Sequence, residues 1–251
     1  MPDRAFDSAL LDRLARHPIG RRLHRLPIDW FRARLDGGAH IPRTGGALLV
    51  GNHALFGLDG FVLHPLVHRE TGRFVRFLGE RNLWRFSVVG RVLDRTGAVP
   101  GEPTVATSLL SCGELVGVYP GGVDDSFKTA RERYRLKWGP RSGFARVAMR
   151  AGAPIVPVCG LGIDEAYTVL GHERLLGRRL FGSPRYDLPI AVGAFGTPIP
   201  RRVPQRYVVL PPIDTAGDPD DPAAVERVRR ATFEALDGQL RAARREASAA
   251  R

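Results

Sequence analysis

The chain has 251 residues, of which 43% are hydrophobic and 25% charged; these proportions exclude a largely disordered chain and allow a domain-sized core. The formal net charge of +12 and the pI of about 10.9 predict attraction to an anionic partner: nucleic acid, a phospholipid surface or a phosphate-bearing substrate. No stretch reaches about 18 apolar residues, and residues 1–20 carry acidic side chains without a long apolar run. Neither a membrane-spanning helix nor a secretory signal is therefore expected.

The first 40 residues are predicted to form an amphipathic helical segment that associates with membranes. Residues 5–16 place apolar side chains at helical spacing, and Pro18 ends this helix. Between Arg21 and Arg34, arginines alternate with apolar and aromatic residues such as Trp30, a pattern typical of interfacial helices. A helix packed on its own domain has the same pattern, so both interpretations stay open.

From residue 41 onward, apolar runs alternate with helical patterns, which predicts an α/β fold with a largely parallel central sheet and helices on both faces. We assign one domain to residues 41–215 and a C-terminal helix and tail to residues 216–251. The prolines in the fourth strand predict an edge position or irregular pairing. The predicted strands are 47–50, 74–78, 115–119, 153–158, 188–195 and 207–210. The predicted helices are 58–67, 83–93, 104–113, 141–150 and a terminal helix from Pro222, charged on most faces.

Cysteine and histidine spacings give no metal site. Cys112 and Cys159 lie in apolar stretches, which predicts reduced core residues of a cytosolic protein. His64 and His68 are four residues apart on a predicted helix, a spacing that can bind metal, but with Glu70 they do not complete a zinc pattern. We therefore predict that both histidines are structural or surface residues and that no metal is bound.

The strand 47–50 leads into the most promising chemical site. His53 follows two residues after the strand ends at Gly51, and Asp59 follows six residues later. An imidazole can accept a proton near neutral pH, and a nearby carboxylate fixes its tautomer. On one helix, six positions would place the two side chains about 240° apart. His53 is therefore predicted in the loop, and Asp59 at the start of the next helix.

Two further strand exits carry unusual residues. The first is the loop from Gly97 to Glu102, and the second runs from Tyr119 through Gly121 and Gly122. In open α/β sheets, ligands bind beyond the carboxyl ends of the strands. The two glycines could offer backbone amides to a developing oxyanion, although Pro-Gly-Gly is also common turn chemistry.

The positive charge is concentrated in the segment that follows. Between Lys128 and Arg150 there are eight basic residues and one acidic residue, Glu132, a local charge of +7. A phosphate-bearing ligand near the Pro-Gly-Gly loop would be favoured there. A solvated basic face is the ordinary alternative. The interleaved aromatic residues leave a nucleic-acid surface arguable, but no nucleic-acid module signature is present.

Taken together, these loops resemble the glycerolipid acyltransferase superfamily, the lysophospholipid acyltransferase-like proteins, over about residues 45–215. Four blocks occur in the family's order. They are Asn52-His53 with Asp59, residues 97–103, residues 118–123 and residues 153–158. The resemblance implies a catalytic histidine–aspartate pair in the first block and acceptor contacts in the second.

Two departures from the usual pattern refine this placement. Five residues separate His53 from Asp59 where the family usually has four, and Pro120-Gly121-Gly122 stands where the family usually has Pro-Glu-Gly-Thr-Arg. The arginine associated with an acceptor phosphate is thus missing, although Lys128 or Arg131 could supply charge. Both departures resemble the diacylglycerol acyltransferase-like and phytyl-ester-synthase-like branch. That branch implies a neutral alcohol acceptor such as a mono- or diacylglycerol.

The resemblance implies transfer of an acyl group from acyl-CoA, or from an acyl carrier protein, to a lipid hydroxyl. His53 would be the general base and Asp59 its orienting partner, and Lys137 and Arg141 would bind the donor's phosphates. No cofactor is implied. The candidate substrate-binding residues are Asn52, Gly97, Pro100, Glu102, Tyr119, Pro120, Gly121, Gly122, Lys128, Arg131, Lys137 and Arg141.

The expected partners are an acyl thioester donor, a lipid acceptor and an anionic membrane surface, without nucleic acid. The expected location is the cytoplasm, at the membrane periphery. Three alternatives remain open at this point: an acyltransferase for lysophospholipids or 1-acylglycerol-3-phosphate, a thioesterase, and a non-catalytic basic protein that binds membranes or nucleic acid.

Overall fold

A computed structural model describes residues 17–173 and 188–249 of the chain. Within them, a central sheet of seven strands has the order β1-β9-β6-β2-β5-β3-β4, and β7 and β8 form a separate antiparallel pair. The strands are β1 (Arg34–Asp36), β2 (Ala47–Gly51), β3 (Val75–Gly79), β4 (Val99–Pro100), β5 (Leu115–Val118), β6 (Ile155–Leu161), β7 (Thr168–Glu173), β8 (Leu188–Val192) and β9 (Arg206–Val209). All neighbours in the large sheet are parallel except β6 and β9.

Helices flank this sheet. They are α1 (Pro18–Trp30), α2 (Leu58–Thr71), α3 (Ser87–Arg95), α4 (Pro103–Ser111), α5 (Gly122–Ser126), α6 (Gly143–Ala151) and α7 (Pro222–Ala249). Short 3-10 turns connect several of them. The helix α4 begins with Pro103, since a proline lacks only the N–H that the first turn leaves unpaired.

Two hydrophobic clusters lie on opposite faces of the sheet, and β2 contributes to both. Ala47 and Leu49 pack with side chains from α1 and α2, whereas Leu48 and Val50 pack with side chains from α4, α6 and α7. Successive side chains of a strand point to opposite faces, so a strand covered on both sides is apolar throughout. The predicted α/β class with helices on both faces is confirmed.

The fourth predicted strand is central, so the prediction of an edge position was wrong. Strand β6 lies between β2 and β9. Pro154 precedes the strand. Pro157 lies where β9 pairing ends, and its carbonyl accepts a hydrogen bond from the Leu210 N–H at 2.9 Å. The prolines therefore remove little from the ladder, and their positions rather than their number decide the outcome.

The ends of the chain differ from the prediction in detail. The predicted helix 5–16 lies outside the described residues, whereas α1 begins at Pro18, before the basic segment Arg21 to Arg34, and ends within it at Trp30. Residues 34–36 form the edge strand β1 instead of helix, since Arg34 N–H bonds to the Gln205 carbonyl and the strand pairs with β9. The predicted loop at 97–101 contains the short strand β4. Cys159 is buried, but Cys112 caps the C-terminus of α4 and is exposed, so its prediction as a core residue was wrong.

The terminal helix α7 is part of the core, which corrects its prediction as charged on most faces. One face buries Val225, Val228, Leu236 and Leu240 in the second hydrophobic cluster. Among the residues that the structure describes, none of the helices is both long and apolar enough to cross a membrane.

We predict that Leu240→Ala lowers the free energy of unfolding by about 2–5 kcal/mol, because the side chain is fully buried and its loss leaves a cavity. Urea denaturation would measure the change. The exposed Glu234→Ala on the same helix is the matched control and should shift stability by less than about 0.5 kcal/mol. Equal effects of the two variants would contradict the packing of α7 on this core.

Candidate active site

The first element of the site is the end of β2, which is fixed to β6 by Asn52. Its side-chain amide donates to the Gly160 carbonyl at 2.9 Å and accepts from the Gly160 N–H at 2.8 Å. Asn52 is buried and both of its polar groups are used, so it positions the loop. Asn52 does not line the cavity described below, so the structure does not support its prediction as a substrate-binding residue.

The loop after β2 brings His53 against Asp59. The Asp59 carboxylate oxygens lie 3.0 and 3.2 Å from His53 Nδ1, and one of them also accepts from the Ala54 N–H at 3.1 Å. A carboxylate can only accept hydrogen bonds, so the proton of the neutral imidazole is on Nδ1. His53 lies in the loop and Asp59 in the first turn of α2, as predicted. The second nitrogen, Nε2, is then the atom that can take a proton.

The extra residue between histidine and aspartate is accommodated by a left-handed turn. Phe56 and Gly57 have φ angles of 59° and 68°, so two consecutive residues turn the chain back toward His53. Positive φ costs little at glycine but is uncommon for phenylalanine. The strained residue faces outward, with 62% of its surface exposed. The longer spacing thus preserves the contact between the pair.

An aromatic stack sets the plane of the His53 ring. The Tyr119 ring lies 4.4 Å from it, nearly parallel at 11°, and Phe77 stacks on the other side of Tyr119 at 5.6 Å. Tyr119 lines the same cavity as His53 and supports its ring, while its predicted role in substrate binding stays a prediction.

The electrostatic surroundings favour the protonated state of His53. Burial lowers the pKa of His53, but the charge and hydrogen bond of Asp59 and the charge of Asp125 outweigh it, and the net pKa lies above 6.5. Burial and the charge of Asp59 also raise the pKa of Tyr119 well above its usual range, so the phenol stays neutral. A histidine with a raised pKa is a stronger base once it is deprotonated.

The Pro-Gly-Gly turn is shaped by its neighbours. A Cβ at Gly121 would lie 2.2 Å from the Asp125 Cβ, so only glycine allows this close approach. Gly122 has φ of 51°, and its N–H bonds to the Tyr119 carbonyl at 3.0 Å. That amide is therefore committed to the turn, and its predicted role as an oxyanion donor was wrong. Gly122 does line the cavity, whereas Pro120 and Gly121 lie behind it.

The basic residues after the turn lie away from the cavity. Lys128 is buried against Asp125 and Asp164, and Lys137 pairs with Glu132 at 2.8 Å. Arg141 donates to the Gly121 carbonyl at 2.9 Å and pairs with Asp124. None of these residues, nor Arg131, lines the cavity. The structure does not support their prediction as phosphate contacts, because none of them lines the cavity and Lys128, Lys137 and Arg141 are paired with carboxylates of the same chain.

His53 forms part of the wall of a large apolar cavity of about 1330 Å³. This exceeds the volume of typical small-molecule sites, about 300–1,000 Å³. Most of its lining side chains are apolar and come from α1, α2, α3, α4 and α6. Representative lining residues are Leu23, Phe61, Phe77, Val88, Val92, Ala106 and Phe144.

Carboxylates and guanidinium groups of this cavity come from the second predicted block and the segment before it. Glu102 lines it and pairs with Arg81 at 3.2 Å, but Gly97 and Pro100 do not line it. Arg81 and Arg95 are cavity cations that sequence reasoning missed. Their positions depend on how the 3-10 turn after β3 and α3 pack, and no local motif marks them.

The histidines 64 and 68 are structural, as predicted. His64 is buried and its Nδ1 lies 3.2 Å from the Val75 carbonyl, while His68 stacks on Phe74. Burial, with the charges of nearby histidines, lowers the pKa of His24 and of His64 to about 4. Within the described part of the chain, no group of three or more His, Cys, Asp or Glu side chains is placed to hold a metal ion.

Comparisons with known proteins agree with this geometry. The acyltransferase family model matches residues 32–160. An uncharacterized protein of Mycobacterium tuberculosis is 36% identical over 220 residues, covering 83% of this chain and 59% of the relative. A human DGAT1/2-independent enzyme synthesizing storage lipids is 30% identical over 179 residues, covering 68% of this chain and 55% of that enzyme. The chain thus spans somewhat more than half the length of these relatives.

The fold has a solved counterpart. The crystal structure of the 1-acyl-sn-glycerophosphate acyltransferase PlsC from Thermotoga maritima superimposes with a TM-score of 0.56 at 15% identity. The match covers 92% of this chain and 87% of that one. With the family model covering the segment that carries His53, Asp59 and the Pro-Gly-Gly turn, the chain belongs to the acyltransferase family, within the glycerolipid acyltransferase superfamily.

Proposed function

We propose that this protein transfers a fatty acyl group from an acyl thioester, acyl-CoA or acyl carrier protein, to the hydroxyl of a neutral lipid alcohol. One observation carries the proposal. The His53–Asp59 pair lies in the wall of an apolar cavity large enough for an acyl chain together with a lipid acceptor. Catalytic pairs of this kind act as general bases, and an apolar cavity selects lipid substrates.

The reaction uses His53 twice. Nε2 accepts the proton of the acceptor hydroxyl as its oxygen attacks the thioester carbonyl, and Asp59 stabilises the resulting imidazolium. The tetrahedral intermediate then collapses, the carbon–sulfur bond breaks, and the imidazolium returns the proton to the departing thiolate. An ester and a free thiol are the products. The enzyme forms no covalent bond to the acyl group.

The phosphates of the donor require cations near the cavity. Arg81 and Arg95 both line it, and we propose that they replace Lys137 and Arg141 in this role. Their side chains are exposed enough to reach a ligand that extends out of the cavity. Guanidinium groups bind phosphate through two parallel hydrogen bonds.

The balance of charge favours a neutral acceptor over an anionic lysophospholipid. Among the described residues, the arginines and lysines that line the cavity are Arg81 and Arg95, and Glu80 and Glu102 line it as well. Both arginines are assigned to the donor, so no further cation is left for an acceptor phosphate. The storage-lipid name of the human relative agrees with this assignment.

Membrane association is proposed through α1 and α3 together. Leu23 on α1 and Val88 and Val92 on α3 are 64%, 65% and 47% exposed, yet all three line the cavity. Exposed arginines flank both groups, which suits an anionic bilayer. A lipid acceptor could then enter the cavity without crossing water.

We predict that His53→Ala lowers kcat about 10²- to 10⁴-fold with little change in KM, because general-base catalysis contributes this much. Initial rates with acyl-CoA and a panel of acceptors, read by mass spectrometry, measure the loss. The panel includes mono- and diacylglycerol, lysophosphatidic acid and water alone. The exposed His172→Ala is the matched control and should retain full rate. Transfer by the His53 variant at the control's rate would exclude His53 as the general base. A higher rate with lysophosphatidic acid than with mono- or diacylglycerol would exclude the neutral acceptor.

The dependence of kcat/KM on pH should report the raised pKa of His53. Protonated His53 cannot accept a proton, so activity falls as pH decreases through a midpoint above 6.5. In Asp59→Asn the opposing effect of burial remains without the carboxylate's charge, so the midpoint moves to lower pH. The plateau should also fall about 10²- to 10⁴-fold, because the tautomer is no longer fixed. An unchanged midpoint would contradict the pairing.

Flotation with vesicles that contain phosphatidylglycerol tests the membrane surface. Ile19, Leu23 and Leu26 on α1, changed together to serine, should weaken binding at least about tenfold, because apolar area is lost. Val88→Ser with Val92→Ser should weaken it similarly. Substitutions are preferable to removing the segment, since Ile28 is buried in the core. The control is Ile199→Ser, at an exposed position outside the cavity. Equal flotation of all proteins would refute this surface.

A further inference from the structure

A buried charged cluster lies directly behind the catalytic loop. Asp125 is completely buried, and one of its oxygens accepts the backbone N–H of His53 at 2.8 Å. Its other oxygen accepts the backbone N–H of Lys137 at 3.1 Å and lies 3.4 Å from the Lys128 Nζ. One carboxylate therefore fixes two chain segments.

The charge of Asp125 is compensated within the cluster. Lys128 is 6% exposed, and its Nζ also lies 3.3 Å from Asp164, in the segment that follows β6. Burial raises the pKa of Asp164 to about 6, against the opposing effect of Lys128. Buried charges are costly unless they are paired and hydrogen-bonded, and removing one partner leaves the others uncompensated. An arrangement of this kind needs a purpose beyond stability.

A neutral contact holds the other side of the same loop. Ser126, next to Asp125, donates its hydroxyl to the Ala54 carbonyl at 2.9 Å. The peptide group before His53 and the peptide group after Ala54 are therefore both held by α5. Gly121 lets Asp125 lie this close to the Pro-Gly-Gly turn, because a Cβ at Gly121 would collide with the Asp125 side chain.

We propose that Asp125 is a positioning residue for the acyl transfer: its carboxylate, held by Lys128, fixes the main chain of His53 so that the imidazole stays on Asp59 and faces the cavity. This inference rests on the proposed role of His53. Misplacement of a catalytic group by about 1 Å can cost on the order of 100-fold in rate. The charge of Asp125 also raises the pKa of His53, against the smaller opposing effect of Lys128.

The test is Asp125→Asn. Asparagine keeps the shape of the side chain but offers one acceptor oxygen, whereas the two Asp125 oxygens accept from the N–H groups of His53 and Lys137 and pair with Lys128. We expect kcat to fall about 10- to 100-fold with donor and acceptor KM values within about twofold. The pKa of the His53 ring, measured by NMR titration, should also decrease, because a negative charge beside the ring is lost. The matched control is Asp124→Asn, which removes an exposed carboxylate from the same helix and should change neither quantity.

A merely structural role would lower the folded fraction but leave kcat of the folded protein within about twofold of the control. An unaltered His53 pKa, or a kcat within about twofold of the control, would therefore overturn the inference. The NMR titration does not depend on activity, so it separates this inference from the proposed function, which fails instead if His53→Ala retains full transfer. If Asp125→Asn does not fold, amide hydrogen exchange in the unchanged protein decides. The His53 N–H should be protected although it lies in a loop, and rapid exchange would contradict the proposal.

Discussion

The hydrogen bond between His53 Nδ1 and Asp59 is the interaction on which the site depends. It joins a loop residue after β2 to the first turn of α2. It also places the proton of the neutral ring on Nδ1, which leaves Nε2 unprotonated. The left-handed turn at Phe56 and Gly57 brings Asp59 back to His53, which lies six positions earlier in the chain. Strain at such positions persists only where the surroundings over-determine it.

The surroundings of the pair explain why the buried imidazole of His53 has a raised pKa. Burial alone would lower the pKa of His53, and two carboxylates reverse the direction. Asp59 acts through its charge and its hydrogen bond to the ring, and Asp125 acts through its charge, so the two effects come from different elements of the fold. The cavity beside His53 is mostly apolar, and charges interact more strongly in such surroundings than in water.

Local sequence patterns predicted the parts of the site that depend on neighbours in the chain. The run into β2, the spacing of His53 and Asp59 and the proline that begins α4 are all local signals, and each was confirmed. The structure does not support the basic segment as a phosphate site, and part of the reason is a non-local ion pair. Lys128 meets Asp164, which lies 36 residues away in the chain, and no pattern of spacing shows that contact.

The same limit applies to the cavity and to the sheet order. Arg81 and Arg95 reach the cavity only through the packing of α3 against the turn after β3, and β6 takes its central place although prolines favour an edge. The type of an amino acid predicts which interactions its side chain can make, whereas tertiary contacts determine which partners it meets. Asn52 shows the difference, because this polar residue beside His53 uses its amide in joining two strands.

The most direct test of this account is the tautomer of His53 in the resting protein, measured from the imidazole nitrogen shifts of ¹⁵N-labelled protein above the midpoint of its titration. The account predicts a protonated Nδ1 bonded to Asp59 and an unprotonated Nε2, with this preference lost in Asp59→Asn. A neutral ring protonated at Nε2 in the unchanged protein would contradict it, because that nitrogen could then accept no proton from the hydroxyl of an acceptor.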